Sequence, residues 1–155
     1  MMSDSTPAPA PAASHDGFHH VTLNVQDVER SAAWYCDVLG FQRLTEYRTD
    51  HFARVIVRHP NSGAMLALSR HAASIADEPF DERRAGLDHL ALAVANRDAL
   101  DAWIERLDAF GVPHSPVKDG ATPGSALVTF RDPDGIQLEV FASPPLSRPV
   151  DHYEA

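Results

Sequence analysis

The chain has few cysteines, no long apolar run and no excess of positive charge. Each of these absences excludes a structural feature or a class of partner. Its single cysteine, Cys36, excludes an internal disulfide, and the helical pattern around it favours a small buried side chain over a reactive thiol. No apolar run approaches the roughly 20 residues of a membrane helix. Because 13 lysines and arginines stand against 22 acidic residues, for a net charge of −9, neither nucleic acid nor a membrane surface is an expected partner.

Residues 1–16 lack the basic start and the apolar middle of a signal peptide. Their Ala-, Pro- and Ser-rich composition predicts a disordered tail, and a cytoplasmic location is the resulting expectation. The 155 residues, 44% of them hydrophobic, suffice for one domain or two small fused modules.

What the chain does contain is a duplicated stretch. Residues 19–25 read HHVTLNV and residues 88–94 read DHLALAV. Aligning His20 with His89 gives an offset of 69 (89 − 20), and the same offset places Trp34 on Trp103. Both copies begin with a histidine, alternate in polarity and run into a helical pattern, so an internal repeat is expected to decide the architecture.

Hydrophobic periodicity predicts a first β-α-β-β-β module at 17–70, a linker at 71–86, a second such module at 87–143 and a C-terminal tail at 144–155. The predicted strands are 18–25, 41–47, 51–58, 64–69, 87–94, 112–117, 125–130 and 136–141. The two predicted helices begin at Asp27 and Asp98. Since neither module alone buries a sufficient core, we expect an α+β fold with one curved, eight-stranded mixed sheet around a central cavity.

Three side chains in these strands are candidate metal ligands. His20 and His89 occupy equivalent positions, so a pseudo-twofold axis would direct both into one cavity. Glu139 lies between Leu138 and Val140 in the last strand, and a carboxylate among apolar neighbours needs a partner. Two imidazoles and one carboxylate are a ligand set for a divalent metal of the first transition row, with positions left open for substrate.

The alternative is that these residues are structural, because a histidine in a strand is more often structural or surface-exposed than a ligand. The chain has nine histidines, and only two of them correspond through the repeat. The metal interpretation is favoured because the two-histidine, one-carboxylate combination is specific. The histidines without a repeat partner are His15, His19, His51, His59, His71, His114 and His152.

The chain resembles the vicinal oxygen chelate superfamily, which includes glyoxalase I, extradiol dioxygenases, fosfomycin-resistance thiol transferases, methylmalonyl-CoA epimerase and bleomycin-binding proteins. The resemblance extends over 18–142. It rests on HVTLNV at 20–25 with Asp27, Ser31, WY at 34–35 and LGF at 39–41, on LDHLALAV at 87–94, and on DPDGIQLE at 132–139. It implies paired β-α-β-β-β modules around a metal held by His20, His89 and Glu139.

Two departures from the family patterns bear on the activity. Aligning Gly63 with Gly135 places Ala67 where Glu139 stands, whereas glyoxalase I has a carboxylate and the epimerase an amide at that position. The remaining set resembles that of extradiol dioxygenases and fosfomycin transferases. Thr129 replaces the tyrosine that those enzymes have near that position, and a threonine cannot act as an acid as a phenol does. Thr22, Thr129 and Ala67 are the expected pocket residues.

The function expected from the resemblance is a metal-dependent enzyme, a dioxygenase or a glyoxalase-like lyase or transferase, acting on a small substrate with vicinal oxygens. Iron(II) matches the ligand set best, with zinc, manganese and nickel as alternatives. Glu139 is the one candidate catalytic base, and it serves only if it leaves the metal. The alternative is a metal-free drug- or metabolite-binding protein of the bleomycin-resistance type. A homodimer is expected, because family members exchange modules between subunits, and the cavity forms either within one chain or between two.

Overall fold

The computed structural model describes residues 14–73 and 79–144, arranged as two β-α-β-β-β modules. The first contains β1 (Val21–Asn24), α1 (Val28–Leu39), β2 (Gln42–Arg48), β3 (Phe52–Arg58) and β4 (Met65–His71). The second contains β5 (Leu90–Val94), α2 (Ala99–Ala109), β6 (Lys118–Asp119), β7 (Ala126–Arg131) and β8 (Gln137–Ala142). The predicted α+β class and the module plan are confirmed. The predicted tails lie almost wholly outside the described residues.

The eight strands form two four-stranded mixed sheets, ordered β1-β4-β3-β2 and β5-β8-β7-β6. In each sheet the first strand runs parallel to the fourth, and the remaining pairs are antiparallel. The two sheets thus have the same topology, as the internal repeat predicts. Corresponding positions can therefore be identified by register.

Helix α1 ends where the sequence places its capping residues. Asp27 accepts hydrogen bonds from the backbone N–H groups of Glu29 and Arg30, which otherwise have no partner in the first turn. These bonds lower the pKa of the Asp27 carboxyl. Gly40 closes the helix with φ 75°, a left-handed conformation that glycine adopts without strain.

Both helices pack into one core between the sheets. Alternate residues of each sheet, such as Val55 and Val57 in β3 and Leu138 and Val140 in β8, are buried against the helices. Trp34 of α1 also contacts Phe130 of the second sheet, with ring centroids 6.4 Å apart. The helix-covered faces of the two sheets therefore face each other. We call the opposite faces the open faces.

The prediction of a strand at 112–117 is wrong. Pro113 and Pro116 have no N–H to donate to a ladder, and pairing in that segment is limited to a single bridge between His114 and Phe130. The edge strand β6 instead lies at Lys118–Asp119, within the segment predicted as a loop. No helix in 14–73 or 79–144 is both long and apolar enough to span a bilayer.

Candidate metal site and comparison with known proteins

Two of the three expected ligands lie side by side on the open face of the second sheet. His89 immediately precedes β5, and Glu139 lies in the neighbouring strand β8, paired in register with Ala91. The His89 Nε2 atom is 3.7 Å from Glu139 Oε2. That separation is too long for a hydrogen bond but less than twice a metal–ligand bond of roughly 2.1 Å. Both atoms can therefore bind one ion.

Glu139 is a largely buried residue whose carboxylate oxygens reach the open face of the sheet. The residue is 8% exposed, and no described residue donates a hydrogen bond to it. No buried side-chain oxygen among the described residues lacks a hydrogen-bond partner, so the Glu139 oxygens are open to solvent on this face, where a divalent cation beside His89 could reach them. An imidazole nitrogen and a carboxylate oxygen are both donor types that a divalent metal of the first transition row binds.

Asp88 orients the His89 ring, a role that the sequence analysis missed. Asp88 Oδ1 lies 2.6 Å from His89 Nδ1, which leaves Nε2 directed at Glu139. Hydrogen bonding to Asp88, followed by the charge of Glu139, raises the pKa of His89. A carboxylate on the second ring nitrogen is the usual partner of a metal-binding histidine. The only signal for this role in the sequence is the adjacency of Asp88 and His89.

His20 does not join this pair within one chain. It is exposed, its Nδ1 lies 2.9 Å from that of His19, and it lines an apolar cavity of about 380 Å³ between the modules with Val21, Leu66 and Leu90. Neither His89 nor Glu139 lines that cavity. Among residues 14–73 and 79–144, no group of three or more His, Cys, Asp or Glu side chains in a single chain could hold a metal ion.

The sheet register places the three predicted pocket residues at informative positions. Thr129 lies directly opposite Glu139 on the open face of the second sheet. In the first sheet Ala67 pairs with Thr22 on one side and Ile56 on the other, as Glu139 pairs with Ala91 and Thr129. The first sheet thus has a methyl group where the second has the carboxylate.

The DPDG turn of the second module docks on α1. Tyr35 donates from its hydroxyl to Asp132 Oδ2 at 3.1 Å, and both residues are buried. Arg30 and Ser31 bind Asp134 at 2.6 and 3.0 Å. Burial raises the pKa of Asp132, whereas hydrogen bonds from the N–H groups of the turn and from Tyr35 lower it. Burial, and next the charge of Asp132, raise the pKa of Tyr35.

Tyr35→Phe is expected to destabilise the protein, since it removes the only hydrogen-bond donor to Oδ2 of this buried carboxylate among the described residues. The expected loss is about 1.5–3 kcal/mol, or several degrees in Tm. Tyr47→Phe, at a 51% exposed tyrosine without such a bond, is the matched control and should leave Tm unchanged. Equal Tm values for the two variants would show that the Tyr35–Asp132 bond does not stabilise the docked turn.

Comparison with known proteins identifies the family. The family model described as Glyoxalase/Bleomycin resistance protein/Dioxygenase superfamily matches residues 17–140. The chain belongs to this superfamily. It is the vicinal oxygen chelate superfamily, as the resemblance implied. A crystal structure of a glyoxylase/bleomycin resistance protein/dioxygenase domain from Frankia sp. EAN1pec is 34% identical, with a TM-score of 0.75 over 84% of this chain and 100% of that one.

Relatives within the superfamily have several activities. The uncharacterised protein YwkD of Bacillus subtilis is 31% identical over 79% of this chain and 94% of its own length. Catechol-2,3-dioxygenase of the same organism is 29% identical over 86% of this chain but only 44% of the dioxygenase. Metallothiol transferase FosB of Staphylococcus haemolyticus is 26% identical over 80% of this chain and 81% of its own. This superfamily member therefore has both dioxygenase and metallothiol transferase relatives.

One solved structure in the same fold contains a metal. The fosfomycin resistance protein FosX of Listeria monocytogenes, complexed with Mn(II) and sulfate, is 18% identical, with a TM-score of 0.63 over 85% of this chain and 96% of that one. At this level of identity the likeness shows the shared fold.

Proposed function

We propose that the protein is a divalent-metal enzyme of the dioxygenase type, acting on a small substrate with vicinal oxygens, with His89 and Glu139 of one subunit and His20 of a second subunit as ligands. The observation that carries this proposal is the His89–Glu139 pair, in which a carboxylate oxygen of a largely buried residue lies 3.7 Å from an imidazole nitrogen. Iron(II) is the metal that best suits two imidazoles and one carboxylate, with zinc, manganese and nickel as alternatives.

The proposal of a homodimer follows from the distribution of the ligands. His20 and His89 are equivalent in the repeat, and both are exposed. Within one chain, however, His20 does not form a metal-binding group with His89 and Glu139. A twofold dimer could place the open face of each first sheet against the open face of the partner's second sheet. Two equivalent sites would then form, each with His20 from one subunit and the His89–Glu139 pair from the other. Each subunit then contributes to both sites.

The bound ion would supply Lewis-acid stabilisation of charge on the substrate oxygens. Residues of the chain would orient the ligands, contact the substrate and leave coordination positions open. Asp88 fixes the tautomer and direction of His89, so that Nε2 faces the site. Thr129 places a hydroxyl-bearing side chain beside Glu139, on the open face where a substrate would lie. Ala67, at the position of the first sheet equivalent to Glu139, adds no fourth ligand, so positions stay open for substrate.

An activity comparison tests this proposal. Fe(II)-reconstituted protein is assayed for oxygen-dependent catechol cleavage, and in parallel for thiol addition to a 2-oxoaldehyde. We expect catechol loss with stoichiometric oxygen uptake, abolished in Glu139→Ala. Turnover only in the thiol assay would assign the glyoxalase-like class instead. A protein that retains no metal under any loading condition would instead be the metal-free, bleomycin-resistance type of binder.

A further inference from the structure

The open face of the first sheet carries a guanidinium held in a fixed direction. Arg54 of β3 donates from Nε to Ser69 Oγ at 2.6 Å, and Ser69 is fully buried. The guanidinium carbon lies 4.7 Å from the centroid of the Phe52 ring. A hydrogen bond at Nε and an aromatic ring beside the guanidinium leave the two terminal nitrogens as a preorganised fork.

No carboxylate occupies that fork. Within the described residues Ser69 is the only hydrogen-bond partner of Arg54, and no Asp or Glu lies within ion-pair distance of it. The strand positions that the register assigns to this open face include no Asp or Glu. By contrast, Arg43 on the helix side of the same sheet is paired with Glu29 at 2.8 Å. A half-buried arginine with no counter-ion among the described residues has two terminal nitrogens in the geometry that binds an anion.

Arg54 also lies at the right place relative to the proposed metal. Arg54 pairs across the sheet with Ser69, which in turn pairs with Asn24. Ser69 is two residues along β4 from Ala67. Two residues span about 6.7 Å. An anion on Arg54 would therefore lie within the span of a short arm from oxygens bound near Ala67.

We propose that Arg54 binds a carboxylate of the substrate, separated by a short arm from the vicinal oxygens that bind the metal. This inference rests on the proposed function. A carboxylate is favoured over a phosphate group because a single fork matches its planar pair of oxygens. A dianion would need a second cation, and the neighbouring Arg58 guanidinium lies instead over the turn at Gly63.

Binding to the zinc-loaded protein tests the subsite without catalysis. The ligands are catechols with a carboxylate arm, namely 3,4-dihydroxybenzoate, 3,4-dihydroxyphenylacetate and 3-(3,4-dihydroxyphenyl)propanoate, each compared with its neutral amide by calorimetric titration. For at least one arm length we expect the acid to bind about 10- to 100-fold more tightly than its amide. Arg54→Met should reduce that ratio to about one and leave the Kd of the amide unchanged, and Arg54→Lys should retain part of it.

Arg43→Met is the matched control, because it removes one arginine from the opposite face of the same sheet and should keep the full ratio. Equal binding of acid and amide at all three arm lengths would overturn the subsite and leave the metal site standing. Absence of binding by every catechol would overturn both. Loss of the dimer in Arg54→Met, measured by sedimentation, would assign Arg54 to subunit contact and also overturn the subsite.

Discussion

Glu139→Ala is expected to abolish stoichiometric metal binding. The wild-type protein should retain about one ion per chain after reconstitution and dialysis, and the variant should bind more than about 100-fold more weakly, since loss of an outer partner alone costs 10- to 100-fold. The reason is that Glu139 is the one carboxylate in the proposed ligand set, 3.7 Å from His89. Metal content is measured by mass spectrometry of the purified protein.

Loss of the Glu139 charge is expected to weaken metal binding but not to lower the stability of the metal-free protein. Glu139→Gln removes the charge but keeps the shape of a side chain to which none of residues 14–73 and 79–144 donates a hydrogen bond. The metal-free variant is therefore expected to be at least as stable as the metal-free wild type, whereas added Zn(II) should stabilise only the wild type. His51→Ala, at an exposed histidine outside the repeat, is the control and should behave as wild type in both respects. A large loss of metal-free stability in Glu139→Gln would indicate a structural role for the carboxylate.

Ala67→Glu is expected to have the largest effect on stability of any single substitution discussed. Ala67 is 1% exposed and occupies the register position that Glu139 has in the other sheet. A carboxylate there lacks a partner in the metal-free protein and should cost several kcal/mol, measured by denaturant unfolding. With metal bound, the new carboxylate lies where it can serve as a fourth ligand, so added Zn(II) should recover much of the loss.

The neutral variant Ala67→Gln separates size from charge. It carries a side chain of the same length, and its stability should show no comparable recovery on addition of Zn(II). If the two variants respond identically to metal, Ala67 does not face the metal, and the equivalence of the two sheets would not extend to the site.

The sequence predicts the two modules because each carries a complete local pattern, from the strand that opens with His20 or His89 to the helix that contains Trp34 or Trp103. Period-two alternation also places Glu139 on the face away from the apolar side chains of its strand. The missing strand at 112–117 shows where this approach fails, since Pro113 and Pro116 interrupt a segment whose apolar content still suggests a strand.

Contacts between the modules were beyond the reach of sequence analysis. Tyr35 and Asp132 are 97 residues apart, and neither local pattern signals that they meet. The position of His20 relative to Glu139 is harder still, because it depends on how the two modules are arranged in space and not on the local pattern of either strand. Duplication indicates that the two histidines are equivalent, but not whether they meet within one chain or between two.

Mixing two inactive subunits tests the central claim most directly. His20→Ala and Glu139→Ala chains are unfolded, combined in equal amounts and refolded, so that half of the dimers contain one chain of each kind. In a mixed dimer one site combines the intact His20 of one chain with the intact His89 and Glu139 of the other. The account predicts about 0.25 ion per chain in the mixture and almost none in either variant alone. No metal in the mixture, while the wild type refolded in parallel binds about one ion per chain, would contradict a site shared between subunits.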